Sequence, residues 1–380
     1  MKPYYLDYAS TTPIDKRVLS EMIPYLKERY HNPSSMHLSA IANKKAINEA
    51  REKVARAIGA TPKEILFTSG GTEAINFAIK GFALKHPNKK VIITTAIEHK
   101  ATLKTVAFLE TLGYQAIYLS ADKEGFIDLE ELNNHLNEDT LMVSIVYANN
   151  EIGTVQDVEA IIRMCHEKKI VVHLDAVQAF GQIPIDVKAL DVDLMTLSSH
   201  KFYGPKGVGA LYVKTGIELE PIIHGGSHEN NLRAGTENLS GIIGMGKAAE
   251  LVIAELASIQ KHYRELQADF HARMIETFPD VKLIGAPLGE KRSFNHLSYS
   301  FTGIKGHELH YQLAKLGISV STGSACSANE ITPSHVVQAI HLEEERQPCV
   351  IRITFGKYSK LKDHPQIIRL FQKAITELKA

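Results

Sequence analysis

The chain has 380 residues, 44% of them apolar, which is ample for a core and longer than one usual domain. Lysine plus arginine and aspartate plus glutamate both number 43, so the composition announces no basic face and no DNA partner is expected. Three widely spaced cysteines argue against a disulfide scaffold; with no apolar leader and no run of about 18 apolar residues, a cytoplasmic protein without membrane attachment is expected.

From residue 60 to 215, short β-branched runs alternate with amphipathic stretches. ILFT (65–68), VIITT (91–95), AIYL (116–119), LMVSIVY (141–147), IVVHLD (170–175), LMTLS (194–198) and GALYV (209–213) read as strands. Between them AINFAIKGFALKH (74–86), TLKTVAFLETLG (102–113), DLEELNNHL (128–136) and VEAIIRMCHEKK (158–169) repeat apolar residues three and four apart, which predicts helices. Near-continuous apolar strands alternating with helices predict an α/β fold with a mainly parallel seven-stranded sheet flanked by helices.

Past residue 240 the rhythm changes. A long helix covers roughly 241–277, followed by a strand HLSYSF (296–301), a helix GHELHYQLAKLG (306–317), a short PSHVVQAI helix, a strand VIRIT (350–354) and a terminal helix. That half reads as a smaller α+β domain. The expected division is an N-terminal segment (1–15) associated with the small domain, a large α/β domain (16–255) and the small domain (256–380), which carries the segment STGSACSANE (321–330).

Ligands of parallel sheets sit at the carboxyl ends of strands, and polar residues collect there in this chain. SGGTE (69–73) suits an anion, because Gly71 lets the backbone approach and Thr72 adds a hydroxyl, although a plain helix cap explains it equally well. It is neither the nucleotide P-loop nor the dinucleotide fingerprint. His99 follows one strand, Asn149 another, and Asp175 and Gln178 terminate a third; Ser198, His200 and Lys201 follow a fourth. Pyridoxal 5'-phosphate needs an amine for its aldehyde, a carboxylate for its pyridine nitrogen and donors for its phosphate. Lys201 supplies the first, Asp175 the second, and Thr72, Ser198 and His200 the third, with His99 placed to cover the ring. No convincing metal-ligand set emerges from 18 histidines and three cysteines. Cys165, in an amphipathic helix, and Cys349, beside VIRIT, read as structural. Cys326 instead stands among small and polar residues that would bury a thiol poorly. His31 and His37, around NPSSMH, read as site-lining or helix-start residues.

SSHKFYGPKGVGAL, HLDAVQAFG, SGGTEAINFAIKG, VYANNEIGTVQ, RAGTENLSGIIG and STGSACSA occur in the order found in the NifS/IscS-type cysteine desulfurases, which the chain resembles from LDYASTTP (6–13) to VIRITFGKYS (350–359). These are fold-type I pyridoxal-phosphate enzymes, cousins of the aminotransferases. The resemblance implies conversion of L-cysteine to L-alanine, with the sulfur held as a persulfide on Cys326. An acceptor or scaffold protein then receives it for iron–sulfur cluster or thiocofactor and tRNA thiolation pathways. It makes Lys201 the Schiff-base lysine and Asp175 the partner of the pyridine nitrogen. Gln178 and Asn149 would stand near the ring hydroxyl, and His99 would stack on the ring and relay protons. Gly71, Thr72, Ser198 and His200 would hold the phosphate, together with Thr236 donated across a homodimer interface. Asn32 and Arg352 would hold the substrate carboxylate. Read without the family, Arg352 alternates with apolar neighbours like an edge-strand arginine, yet a guanidinium fork also fits a carboxylate.

Three stretches depart from the family pattern. The basic residue that commonly follows Glu229 is missing from the segment 227–231, IHLEEERQPC (340–349) is unusual, and AITELKA lacks the tail with which IscS-type members engage a scaffold, so docking in that manner is not expected. A selenocysteine lyase or an aminotransferase of the same fold remain alternatives. The aminotransferase would have no need of Cys326.

Overall fold

The computed structural model describes residues 3–322 and 333–379, and the statements that follow concern those residues. After a short strand β1 (Tyr4–Tyr5) come two helices, Lys16–Lys27 and Leu38–Ala57. The second starts on His37, whose ring accepts from Ala40 N, so this histidine is a helix cap. The large sheet is then laid down by β2 (Ile65–Thr68), β3 (Val91–Thr95), β4 (Gln115–Leu119), β5 (Thr140–Val146), β6 (Val171–Asp175), β7 (Leu194–Ser198) and β8 (Gly209–Val213).

Its order is β2-β8-β7-β6-β5-β3-β4. β8 runs antiparallel to both neighbours and every other pairing is parallel, so the carboxyl ends of the remaining six strands share one edge. β5 is buried along its whole length, as expected of a strand covered on both faces. His173 crosses three strands, bonded through one ring nitrogen to Ser144 Oγ and through the other to Thr196 Oγ1, both at 2.9 Å. Burial pushes it down to about 3, so it is a neutral, satisfied core histidine.

The remaining strands are β9 (Lys282–Leu283), β10 (His296–Ser300), β11 (Ile318–Ser319) and β12 (Val350–Thr354). β12, β10 and β9 form an antiparallel sheet, while β1 pairs in parallel with β11. Residues 3–15 therefore tie the chain's two halves together. Thr354 N donates to Leu6 O at 2.8 Å on one side, and Thr12 N to His200 O at 2.9 Å on the other.

One 39-residue helix, Leu239–Thr277, serves both halves. Asn238 caps it through Gly241 N. Its first turns pack on the helices Lys16–Lys27 and Leu38–Ala57, with Gly246 so close to Ala50 that a Cβ would come within 2.7 Å of its Cα. Its later turns bring Phe270 against Phe355 and Phe371 of the C-terminal region. The position 255/256 falls inside this helix.

The segment 227–231 is held by a buried ion pair. Arg51 makes two bonds to Glu229, at 2.7 and 2.6 Å, and Phe67 N donates to the same carboxylate at 2.8 Å. Glu229, Asn230 and Asn231 all have positive φ, a conformation that side chains other than glycine adopt at a cost. Arg51→Ala strips a buried carboxylate of its cation and is expected to lower stability by about 3–5 kcal/mol. Arg51→Lys, which keeps the charge and loses the fork, should fall between the two in urea unfolding.

Candidate active site

The carboxyl ends of β2, β3, β5, β6 and β7 converge on a cavity of about 620 Å³. Each strand delivers its polar residues as the chain leaves the sheet, which is why residues far apart in sequence meet there. Of the residues expected from the sequence, Gly71, Thr72, His99, Asp175, Gln178, Ser198, His200, Lys201 and Arg352 line this one cavity.

Lys201 lies in the turn after β7 and donates from Nζ to Ala9 O (2.5 Å) and Ser10 O (2.9 Å). Burial, followed by the nearby charge of Arg352, pulls the amine down to about 8. Gln178 donates to the same Ala9 carbonyl at 2.8 Å. Asp175, at the tip of β6, accepts from Val177 N at 3.0 Å. Burial raises its carboxyl, while the Val177 bond, His99 and Lys201 oppose that rise.

His99 caps the helix Lys100–Glu110, accepting on Nδ1 from Ala101 N at 3.1 Å, and its ring faces the open cavity. Desolvation lowers it and Asp175 works against the lowering. His200 meets Thr11 Oγ1 at 3.1 Å and is pushed by burial to about 4. A Cβ on Gly71 would come within 3.0 Å of Val177 Cγ2 and 3.4 Å of Ser198 Cβ, so glycine keeps this corner open. Glu73 braces the loop, accepting from Ser69 N (2.8 Å) and from Arg233 Nε (2.8 Å).

Arg352, on β12, brings the C-terminal half to the site. It donates to Asn150 O, Asp7 Oδ1 and Ser10 Oγ, each at 2.8 Å, and its Nε is buried without a partner. The donor set fits pyridoxal phosphate: a half-buried amine with a lowered pKa, a buried carboxylate that a protonated ring nitrogen would pull back down, and hydroxyl and ring donors beside an open glycine corner.

Three expected residues stand elsewhere. Asn149 is buried in the turn after β5, donating to Ile97 O (2.8 Å) and accepting from Glu151 N (2.8 Å) and Ile152 N (3.1 Å); its neighbour Asn150 is the one on the cavity wall. Asn32 is exposed and caps its own turn through Ser34 N. Thr236 is also exposed, in a smaller cleft of about 110 Å³ that adjoins the main cavity through Ser69 and Gly207. Cys326 lies outside the described residues. Sequence reasoning passed over Asn150, Glu151 and His335, all on the wall, and the part played by Asp7, Ala9 and Ser10. The double asparagine of NNEIG was a signal for the first. Nothing local marks the others, because their partners are hundreds of residues away.

The other two thiols are buried. Burial pushes Cys165 up to about 12 and raises Cys349 as well. No helix among the described residues is long and apolar enough to cross a membrane.

Comparison with known proteins agrees with this geometry. The family model for class-V aminotransferases matches residues 4–364. A curated relative, the cysteine desulfurase IscS of Dictyoglomus turgidum, is 46% identical over 376 residues, covering 99% of this chain and 95% of that protein. Among solved structures, a NifS-like protein superposes with a TM-score of 0.93 at 39% identity, covering 99% of this chain and all of the other. SspA in complex with cysteine gives a TM-score of 0.82 at 36% identity, over 94% of this chain and 100% of SspA.

Proposed function

Because the chain belongs to the class-V aminotransferase family, with the mainly parallel seven-stranded architecture of fold-type I pyridoxal-phosphate enzymes, we propose that it is a cysteine desulfurase converting L-cysteine to L-alanine. The observation that carries this is the convergence of Lys201, Asp175, His99 and Arg352 on one cavity. Bound pyridoxal phosphate supplies the electron sink that loosens the bonds around the substrate's Cα and Cβ. Lys201 would hold it, Asp175 would keep its ring nitrogen protonated, and Gly71, Thr72, Ser198 and His200 would take its phosphate. Asn150 and Gln178 would reach its ring edge in place of Asn149, whose side chain is held by Ile97 O and the amides of Glu151 and Ile152.

The chain's own residues then do the following. Arg352 orients the substrate carboxylate, a role that a guanidinium fork suits. The Lys201 amine takes the Cα proton. Cys326, as thiolate, accepts the sulfur, so that the products are L-alanine and a persulfide, which is passed to an acceptor protein.

We also place the enzyme in a homodimer. Tyr30, Met36 and Leu38 are 70%, 95% and 84% exposed and flank Asn32, an arrangement better suited to an interface than to water. The same pairing would carry Thr236 to the partner's phosphate and bring Asn32 toward the partner's substrate. Two buried free thiols suit a reducing cytoplasm. The large cofactor-binding domain would span 16–255 and the small one 256–380, with the helix Leu239–Thr277 as their shared spine.

The test is product stoichiometry. Given L-cysteine, the purified protein loaded with cofactor should form alanine and protein-bound sulfane sulfur in equal amounts. A keto acid as the main product would make it an aminotransferase, and a strong preference for L-selenocysteine a selenocysteine lyase.

A further inference from the structure

Two imidazoles stand at the cavity with opposite hydrogen bonding. His99 accepts on Nδ1 from a backbone N–H, so its neutral ring carries the proton on Nε2. His335 Nε2 lies 2.9 Å from the carbonyl oxygen of Glu98, which can only accept, so Nε2 carries a proton and the lone pair of the neutral ring is on Nδ1. In their neutral forms the first ring therefore has a free donor and the second a free acceptor. His335 is also held firmly. It opens the helix His335–Ala339, whose cap Ser334 accepts from Val336 N (3.1 Å) and donates to the buried carboxyl of Glu151 (2.5 Å). Glu151 lines the same cavity wall as His335 and Arg352. His173 shows what a structural histidine looks like in this chain: fully buried, with both nitrogens bonded. His335 differs, being half-buried on the cavity wall and bonded through Nε2.

We propose that Nδ1 of His335 carries the proton of the substrate's thiol while the carbon–sulfur bond breaks. This rests on the desulfurase reading. As the enzyme's thiolate attacks the substrate Sγ, an S–S bond forms and the Cβ–Sγ bond breaks, its electrons remaining with carbon. The Sγ–H bond breaks as well, leaving its electrons on sulfur as a persulfide anion. The proton passes to His335 Nδ1 and from there to Cβ, which becomes the methyl group of alanine. Sulfur is oxidised and carbon reduced by the same two electrons, so no further reactant is needed.

His335→Gln and His335→Ala, prepared as holoenzyme, test the proposal. Glutamine keeps an N–H for the Glu98 carbonyl and removes the base. Its turnover of L-cysteine should fall by roughly 10²-fold, while L-alanine, which has no thiol, binds within about twofold of wild type by titration of cofactor absorbance. Added imidazole should restore part of the turnover of His335→Ala and leave wild type unmoved. Turnover of His335→Gln within about twofold of wild type would overturn the proposal. A loss shared by L-alanine binding and untouched by imidazole would overturn it too, because that is the mark of a structural role. A wild type forming no alanine and no sulfane sulfur would instead sink the desulfurase reading beneath it.

Discussion

Lys201→Ala is expected to fold, to keep the cavity, and to form alanine from L-cysteine at least about 10³-fold more slowly than wild type. The side chain removed would both anchor the cofactor and take the Cα proton. Lys100 and Lys206 also reach the cavity wall, but both are exposed, whereas Lys201 is enclosed among Ala9, Ser10 and Arg352. The variant should also lose the absorbance of lysine-bound cofactor. The wild-type amine adds a pH signature. An amine must be unprotonated to capture an aldehyde, and burial with the Arg352 charge brings Lys201 down to about 8. Cofactor uptake by the apo protein should therefore quicken as pH rises toward about 8 and level off above it. Uptake that kept rising to pH 10 would mean that the amine is not in this environment.

Cys326→Ser should abolish protein-bound sulfane sulfur while cofactor binding stays normal. The chain has three cysteines. Cys165 is buried and pushed up to about 12, and Cys349 is buried and raised, so neither offers a thiolate near neutral pH. Sulfur loading is therefore expected on Cys326, the residue that the resemblance also implies. Mass spectrometry after L-cysteine treatment should show a mass gain of one sulfur on wild type and none on the serine variant. A sulfur adduct on Cys165 or Cys349 would defeat this assignment.

The strands were plain in the sequence because burial on both faces leaves uninterrupted β-branched runs. ILFT, VIITT, LMTLS, GALYV and VIRIT begin and end where β2, β3, β7, β8 and β12 do. The run expected as one helix over 74–86 is helical over 71–85 with a π-helical stretch at Phe77–Gly81, a widening that the apolar pattern does not encode. On the cavity wall, Lys201, Asp175 and His99 were readable because each stands at the carboxyl end of its own strand or within four residues of it, and position along a parallel strand predicts position at the sheet edge. Asn149 and Asn150 show the limit of that reasoning. Both follow β5, and the turn decides which points inward: Asn149 is drawn away by Ile97 O and the amides of Glu151 and Ile152.

The sequence by itself determined the fold class, the family and the chemical types at the strand ends, because these rest on local periodicity and on residues close to one another in the chain. Only the tertiary structure decided which groups share a cavity. Arg352 meets Asp7 and Ser10 across more than 340 positions, Lys201 is enclosed by the N-terminal segment, and His335 is aimed by the carbonyl of Glu98. Burial, charge proximity and tautomer are set by such distant partners, and no pattern along the chain records them.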